Sequence, residues 1–250
     1  MFHEEVERVA QTAAAKTRFL RENPAGYFLA SILAGMFIGF GILLSFTISS
    51  MGQFPLTKLV MGMSFGCALS FVVMAGGELF TGNNFVMATG FLKKTVKAAD
   101  VIKLWIVCYV GNWIGGILLA WVFSHTGLVT DSLAAAVAST ATAKVSAPFF
   151  ALLLRGVLCN MLVCLAVWCS MKMTSESGKL IMIFWALVVF FTAGFEHSIA
   201  NMTLLSLHFM QPSTTMTLAL YLYNILTVTL GNMIGGIFLV AVPYWTMGRD

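Results

Sequence analysis

From Tyr27 to Ser49 the chain carries no charged side chain. At 1.5 Å per residue that stretch, as helix, crosses a hydrocarbon layer of about 30 Å. Five more apolar stretches follow, so that six can be drawn: about 27–49, 59–92, 101–123, 147–171, 179–208 and 217–245. With 59% hydrophobic and only 10% charged residues, the chain lies far from soluble domains, which run at about 25% charged. The reading is an all-α membrane protein with six transmembrane helices. The net charge of +4 is then an orientation signal and not a nucleic-acid footprint. Cys67, Cys108, Cys159, Cys164 and Cys169 all fall inside apolar runs, where cysteine behaves as a small hydrophobe.

Basic residues set the orientation. Arg8, Lys16, Arg18 and Arg21 precede the first span, Lys93, Lys94, Lys97 and Lys103 cluster between the second and third, and Lys172 and Lys179 lie between the fourth and fifth. The opposite side has only Lys58 and Lys144. Both termini are therefore expected in the cytoplasm. Residues 1–23 carry Val6, Val9, Ala10, Ala13, Ala14 and Thr17 at helical spacing, which predicts an amphipathic helix on the cytoplasmic surface. Residues 24–250 form the transmembrane domain, whose first helix serves as the insertion signal.

Two stretches are too long for one crossing. The run 59–92 is interrupted by Gly76-Gly77-Glu78-Leu79-Phe80-Thr81-Gly82-Asn83-Asn84, and 179–208 by Ala193-Gly194-Phe195-Glu196-His197-Ser198-Ile199-Ala200-Asn201. Irregular backbone persists at membrane depth only where protein buries it or a cavity wets it, so the second and fifth helices are expected to break at a binding site. The halves also repeat. Gly111-Asn112-Trp113-Ile114-Gly115-Gly116 recurs as Gly231-Asn232-Met233-Ile234-Gly235-Gly236, an offset of 231 − 111 = 120. At the same offset Leu33–Gly39 faces Leu153–Cys159. Three spans per half, about 27–123 and 147–245, make an inverted 3+3 repeat.

The chemistry must lie with the few polar groups inside the spans, because each is costly unless satisfied. They are Glu78 and Thr81 in the first break, Lys144, Arg155 and Asn160 around the fourth helix, and Glu196, His197 and Asn201 in the second break. Glu78, Glu196 and Arg155 have a purely structural reading as ion pairs, with Lys144 as a further cation. His197 is the functional candidate, since a neutral imidazole both donates and accepts. His3, His125 and His208, at the terminus and span ends, are expected to be solvated. No HExxH, GxSxG, P-loop, CxxC or dinucleotide fingerprint is present, so neither an enzyme nor a bound cofactor or metal is expected.

Three segments carry a family likeness: Ala75–Gly82, Arg155–Ala166 and Phe195–Met202. They resemble the signatures of the formate/nitrite transporter family. The resemblance implies an aquaporin-like fold with one pore per protomer, a homopentamer in a bacterial-type inner membrane, and passage of small monovalent anions such as formate, nitrite or hydrosulfide. Position by position, Phe65 and Leu69 take the place of the cytoplasmic constriction and Phe190 that of the periplasmic one. Leu79, Phe80 and Thr81 match the loop whose threonine faces His197. Lys144 stands where the family attracts the anion, and Asn160 where it has a nearby polar partner. Thr81, Lys144 and His197 are expected to converge near the midplane, with the anion passing apolar rings after His197 has lent it a proton or a hydrogen bond. The loop Gly82-Asn83-Asn84 identifies no branch, so the anion stays open. An obligately proton-coupled symporter shares these residues. A water or glycerol channel would show Asn-Pro-Ala boxes, where this chain has Phe80-Thr81-Gly82 and Ser198-Ile199-Ala200.

Overall fold

A computed structural model describes residues 2–52 and 54–249. The helices in chain order are α1 (His3–Glu22), α2 (Pro24–Ser50), α3 (Thr57–Ala75), α4 (Phe80–Leu92), α5 (Ala98–Ser124), α6 (Asp131–Val145), α7 (Phe149–Lys172), α8 (Glu176–Ala193), α9 (Ser198–Phe209), α10 (Leu218–Gly236) and α11 (Val242–Met247). A π-helical stretch, Ile237–Ala241, joins the last two. No strand occurs among the described residues, and six of their helical segments are long and apolar enough to cross a membrane, α10 to α11 counting as one. The wide turn has a local cause. Pro243 follows it, and proline supplies no N–H and crowds the carbonyl one turn back.

Both long stretches break as expected, and by one device. Gly76 and Gly194 end α3 and α8 with φ of 86° and 84°, a left-handed conformation that glycine adopts without a Cβ penalty. The chain then closes with Gly77 N–H to the Val72 carbonyl at 2.8 Å and Phe195 N–H to the Phe190 carbonyl at 3.0 Å. Leu79 and His197 are extended, and α4 and α9 start immediately after them.

Close helix packing sets the frame. A Cβ on Gly115 would run into the Ile32 carbonyl, and one on Gly235 into the Val157 carbonyl. These glycines bring α5 against α2 and α10 against α7 at backbone contact. The matched contacts correct one alignment: Ile32 corresponds to Val157, 157 − 32 = 125, so the first and fourth spans align at 125 and not 120.

Two elements differ from the sequence reading. Residues 3–22 are helical, but their apolar face is covered by protein and not laid on lipid: Val6, Val9, Ala10 and Ala13 are buried, Ala13 stands against Gly90 of α4, and the Thr95 hydroxyl donates to the Ala10 carbonyl at 2.9 Å. The connection after the third span holds a helix of its own, α6, opened by the Thr130 side chain, which accepts from the Leu133 N–H. Its alanine-rich face lacked the hydrophobicity that marks a span. His3 and Arg249 border one hollow, so the two termini share one end of the bundle.

Candidate functional site

Each break leaves backbone groups that lipid could not satisfy, and an asparagine from a neighbouring helix takes them up. Asn112 of α5 donates to the Glu78 carbonyl at 2.8 Å and accepts from the Phe80 N–H at 2.9 Å. Asn232 of α10 donates to the Glu196 carbonyl at 2.9 Å and accepts from the Ser198 N–H at 2.9 Å. The Glu78 N–H reaches the Ala30 carbonyl, and the Glu196 N–H the Arg155 carbonyl. The asparagine of each repeated Gly-Asn motif is thus a pin for the break in its own half, a role that composition alone conceals.

The carboxylates in the breaks are paired, in matching fashion. Glu196 accepts from Lys144 at 2.6 Å and from Asn201 at 2.7 Å. Glu78 accepts from Lys16 at 2.6 Å and from Asn83 at 2.9 Å, and the Tyr27 hydroxyl donates to it at 3.1 Å. Helix α1 therefore supplies to Glu78 what α6 supplies to Glu196. This corrects two expectations. Glu78 pairs with Lys16 of the N-terminal helix and not with Lys144 or Arg155, and Arg155 makes no ion pair among the described residues; it lines a cavity instead. A buried carboxylate needs a cation at contact, and Arg155 lies outside that reach.

His197 and Thr81 meet. The His197 Nε2 and Thr81 Oγ1 are 3.0 Å apart, both residues nearly or wholly buried. The Ala200 N–H donates to the His197 Nδ1 at 3.1 Å. A backbone N–H can only donate, so Nδ1 is unprotonated and Nε2 carries the hydrogen, which it gives to the Thr81 oxygen. The first turn of α9 thereby fixes the tautomer. Asn160 sits behind this pair, its amide donating to the Thr81 carbonyl at 3.2 Å and to the Asn232 carbonyl at 2.7 Å, and the Cys164 thiol adds a bond to the Thr81 carbonyl at 3.4 Å. Cys108 likewise donates to the Glu78 carbonyl at 3.2 Å. These two thiols tie the breaks in place, more than the apolar filling read from sequence.

Two cavities approach this pair from opposite ends. The one of about 880 Å³ lies on the side of the termini and is bordered by Arg8, Lys16, Leu69, Glu78, Leu79 and Lys179, among others. The other, about 540 Å³, holds Lys58, Phe65, Lys144, Arg155, Phe190 and His197. Between them stand Leu69 and Leu79 facing one cavity, and Phe65 and Phe190 facing the other. Phe65 and Leu69 are one turn apart on α3, about 6 Å of rise, so the apolar partition is thin. The Phe65 and Phe190 rings meet edge to face at 5.6 Å, and Phe190 stacks near His197 at 5.9 Å.

Four placements depart from the sequence reading. Phe65 belongs with Phe190, on the side away from the termini, and not with Leu69, because a one-turn separation suffices to put them in different cavities. Phe80 lines neither cavity; its ring packs on Tyr109 at 4.8 Å. Lys144 borders the same cavity as His197, but its ammonium is held by Glu196 and does not join the His197–Thr81 pair. His208, expected in solvent, is 4% exposed with Nδ1 3.3 Å from the Gln211 side-chain oxygen. Sequence reasoning missed Lys16 and Tyr27, whose partner Glu78 is remote in the chain, and Asn83, which bonds Glu78 one turn away.

The chain is similar to known proteins over nearly all of its length. The family model described as formate/nitrite transporter matches residues 3–246. The nitrite transporter NirC of Escherichia coli (strain K12) is 39% identical, covering 98% of this chain and 92% of the relative. The formate channel FocA of Haemophilus influenzae is 30% identical over 96% and 95%. A solved structure titled FNT family ion channel superposes with a TM-score of 0.94 at 36% identity, covering 98% of this chain and 99% of its own. Another, a pentameric formate channel with formate bound, gives 0.79 at 28% identity over 89% and 96%.

Proposed function

Because this chain belongs to the formate/nitrite transporter family, we propose that it is a selective channel for small monovalent anions, nitrite, formate or hydrosulfide, with His197 and Thr81 as its central donors. The observation that carries this reading is the His197–Thr81 bond in the apolar partition between two cavities bordered by cations.

A bare anion entering the partition would lose its hydration, which is costly without replacement partners. Cationic walls offset part of that cost at both approaches: Lys58, Lys144 and Arg155 against Glu196 on one side, Arg8, Lys16 and Lys179 against Glu78 and Glu176 on the other. At the partition the Thr81 hydroxyl already accepts from His197 Nε2, leaving its own hydrogen for the anion. The imidazole can turn the same N–H to the anion as it passes. Donating a full proton requires that Nδ1 be protonated first, which would break its bond from the Ala200 N–H. That bond favours hydrogen-bond donation, and so a channel, over obligate proton coupling. Phe65, Leu69, Leu79 and Phe190 exclude hydrated ions.

The same reading extends to topology and assembly. The repeated asparagine pins and the odd number of spans in each half support an inverted repeat, residues 24–250 forming the pore domain and 1–23 a cytoplasmic helix. The surplus of lysine and arginine on the loops sharing the end with both termini supports cytoplasmic termini in a bacterial-type inner membrane. Homopentameric assembly follows from the likeness to the pentameric formate channel. Flux of nitrite, formate and hydrosulfide into liposomes, with and without a pH gradient, tests the proposal. Saturable flux of one or more anions that persists without the gradient is expected. No flux without a gradient establishes the symporter instead, and glycerol or water flux without anion flux refutes the reading.

A further inference from the structure

Away from the pore, at the end that holds the termini, a groove of about 310 Å³ lies between α4, the start of α5 and the π-helical stretch. Its wall is wholly apolar and includes Ala88, Phe91, Val101, Ile102, Phe238 and Val242. Phe91, Ile102 and Phe238 are each about half exposed, so the groove is open on the surface of the single chain. The wide turn at Ile237–Ala241 forms one of its sides.

The groove leads to charge. On one wall Leu92 is followed by Lys93, and on the other Val242 is followed one turn later by Trp245. There His3, Lys93, Trp245, Gly248 and Arg249 border a hollow of about 250 Å³. The Arg249 guanidinium lies 3.4 Å over the Trp245 ring, which holds the charge at the level where tryptophan prefers to sit in a membrane. Glu7 lies 3.1 Å from the Lys93 ammonium. Among the described residues that border the hollow, Lys93 and Arg249 are cations and none is a carboxylate.

The next residue adds an independent sign. Lys94, exposed, has φ of 61°, the one non-glycine with positive φ among the described residues. It closes α4 with the same motif that Gly76 and Gly194 use, Thr95 N–H reaching the Gly90 carbonyl at 2.9 Å. Glycine fits that position without strain and lysine does not. The chain keeps a cation there against its backbone preference, as strained residues are kept where they serve a site.

We propose that the groove and the basic hollow form one binding site for an anionic phospholipid, with an acyl chain in the groove and the headgroup phosphate against Lys93 and Arg249, supported by Lys94. A zwitterionic headgroup brings its own cation and gains little from such a cluster. A soluble phosphate gains nothing from the groove. A second protein copy would cover the apolar wall yet leave the charges unanswered.

Native mass spectrometry of the full-length protein in neutral detergent tests this, with phosphatidylglycerol, phosphatidylcholine of identical chains, and glycerol phosphate as the chain-free arm. Phosphatidylglycerol is expected to bind at least tenfold more tightly than either. Removing both charges in Lys93→Gln/Arg249→Gln should weaken it by roughly 25-fold, about fivefold per charge, and leave phosphatidylcholine unchanged. Ala98→Phe, which fills the groove, should weaken both lipids. Lys94→Gly should weaken phosphatidylglycerol about fivefold while raising the melting temperature, a combination that mere damage to the fold cannot produce. Equal binding of the two lipids, a preference that survives the double variant, or glycerol phosphate binding as tightly as the lipid overturns the proposal. So does a photo-crosslinker attached at Ile102→Cys that captures only a neighbouring copy of the chain.

Discussion

His197 is held at both ring nitrogens, by the Ala200 N–H and by the Thr81 hydroxyl, and this double anchoring gives its substitutions distinct signatures. His197→Asn keeps a donor and an acceptor but cannot become a cation. If a hydrogen bond suffices, as proposed, liposome flux should stay within a few-fold of the parent and keep the same response to pH. His197→Phe removes both functions and should lower anion flux by a factor of ten or more, since a lost hydrogen bond to a charged group is worth about 1.5–3 kcal/mol. Normal flux through the Phe variant would make His197 structural only. The rings beside it allow a second test. Phe190→Ala and Leu69→Ala open the partition from opposite cavities, and each should raise flux or admit larger carboxylates such as acetate, measured in the same assay. If both leave rate and selectivity unchanged, these side chains are packing and no constriction.

At the scale of elements, the half-helices depend on what ends them and on what packs behind them. Gly76→Ala places a Cβ in the left-handed region and should cost about 1–2 kcal/mol, a lower melting temperature in detergent with the fold retained. Gly235→Val is more severe, because its side chain would enter the Val157 carbonyl and separate α10 from α7. It should fail to yield monodisperse protein. Asn232, which bridges the Gly156, Glu196 and Ser198 backbones, depends on that same close approach. A folded, active Gly235→Val channel would show that the helix crossing is looser than the backbone contacts require.

For the whole molecule, the charge distribution and the family relation make two demands that one preparation can check. Mass measurement in mild detergent should give five copies of the chain, and a stable monomer with full liposome activity would contradict that assembly. Cysteines introduced near either terminus should both react from the cytoplasmic side only. The shared hollow bordered by His3 and Arg249 requires that the two answers agree, whichever side they report.

Hydrophobic runs determined the spans, because in lipid an unsatisfied backbone leaves little choice but helix. Overlong runs carrying Gly76 and Gly194 announced the breaks, and the motif around His197 announced the family. All of these are local properties of the chain. Contacts between distant residues were decided only by the tertiary structure. Lys16 and Glu78 are far apart in the chain, as are Lys144 and Glu196, and which cation reaches which carboxylate depends on how α1 and α6 dock. The cavity each ring faces depends on a single turn of α3, which separates Phe65 from Leu69 although both look equally apolar in the sequence. Helix α6 and the buried face of α1 were hidden for a related reason. Their faces are covered by protein and not by lipid, and moderate hydrophobicity then suffices.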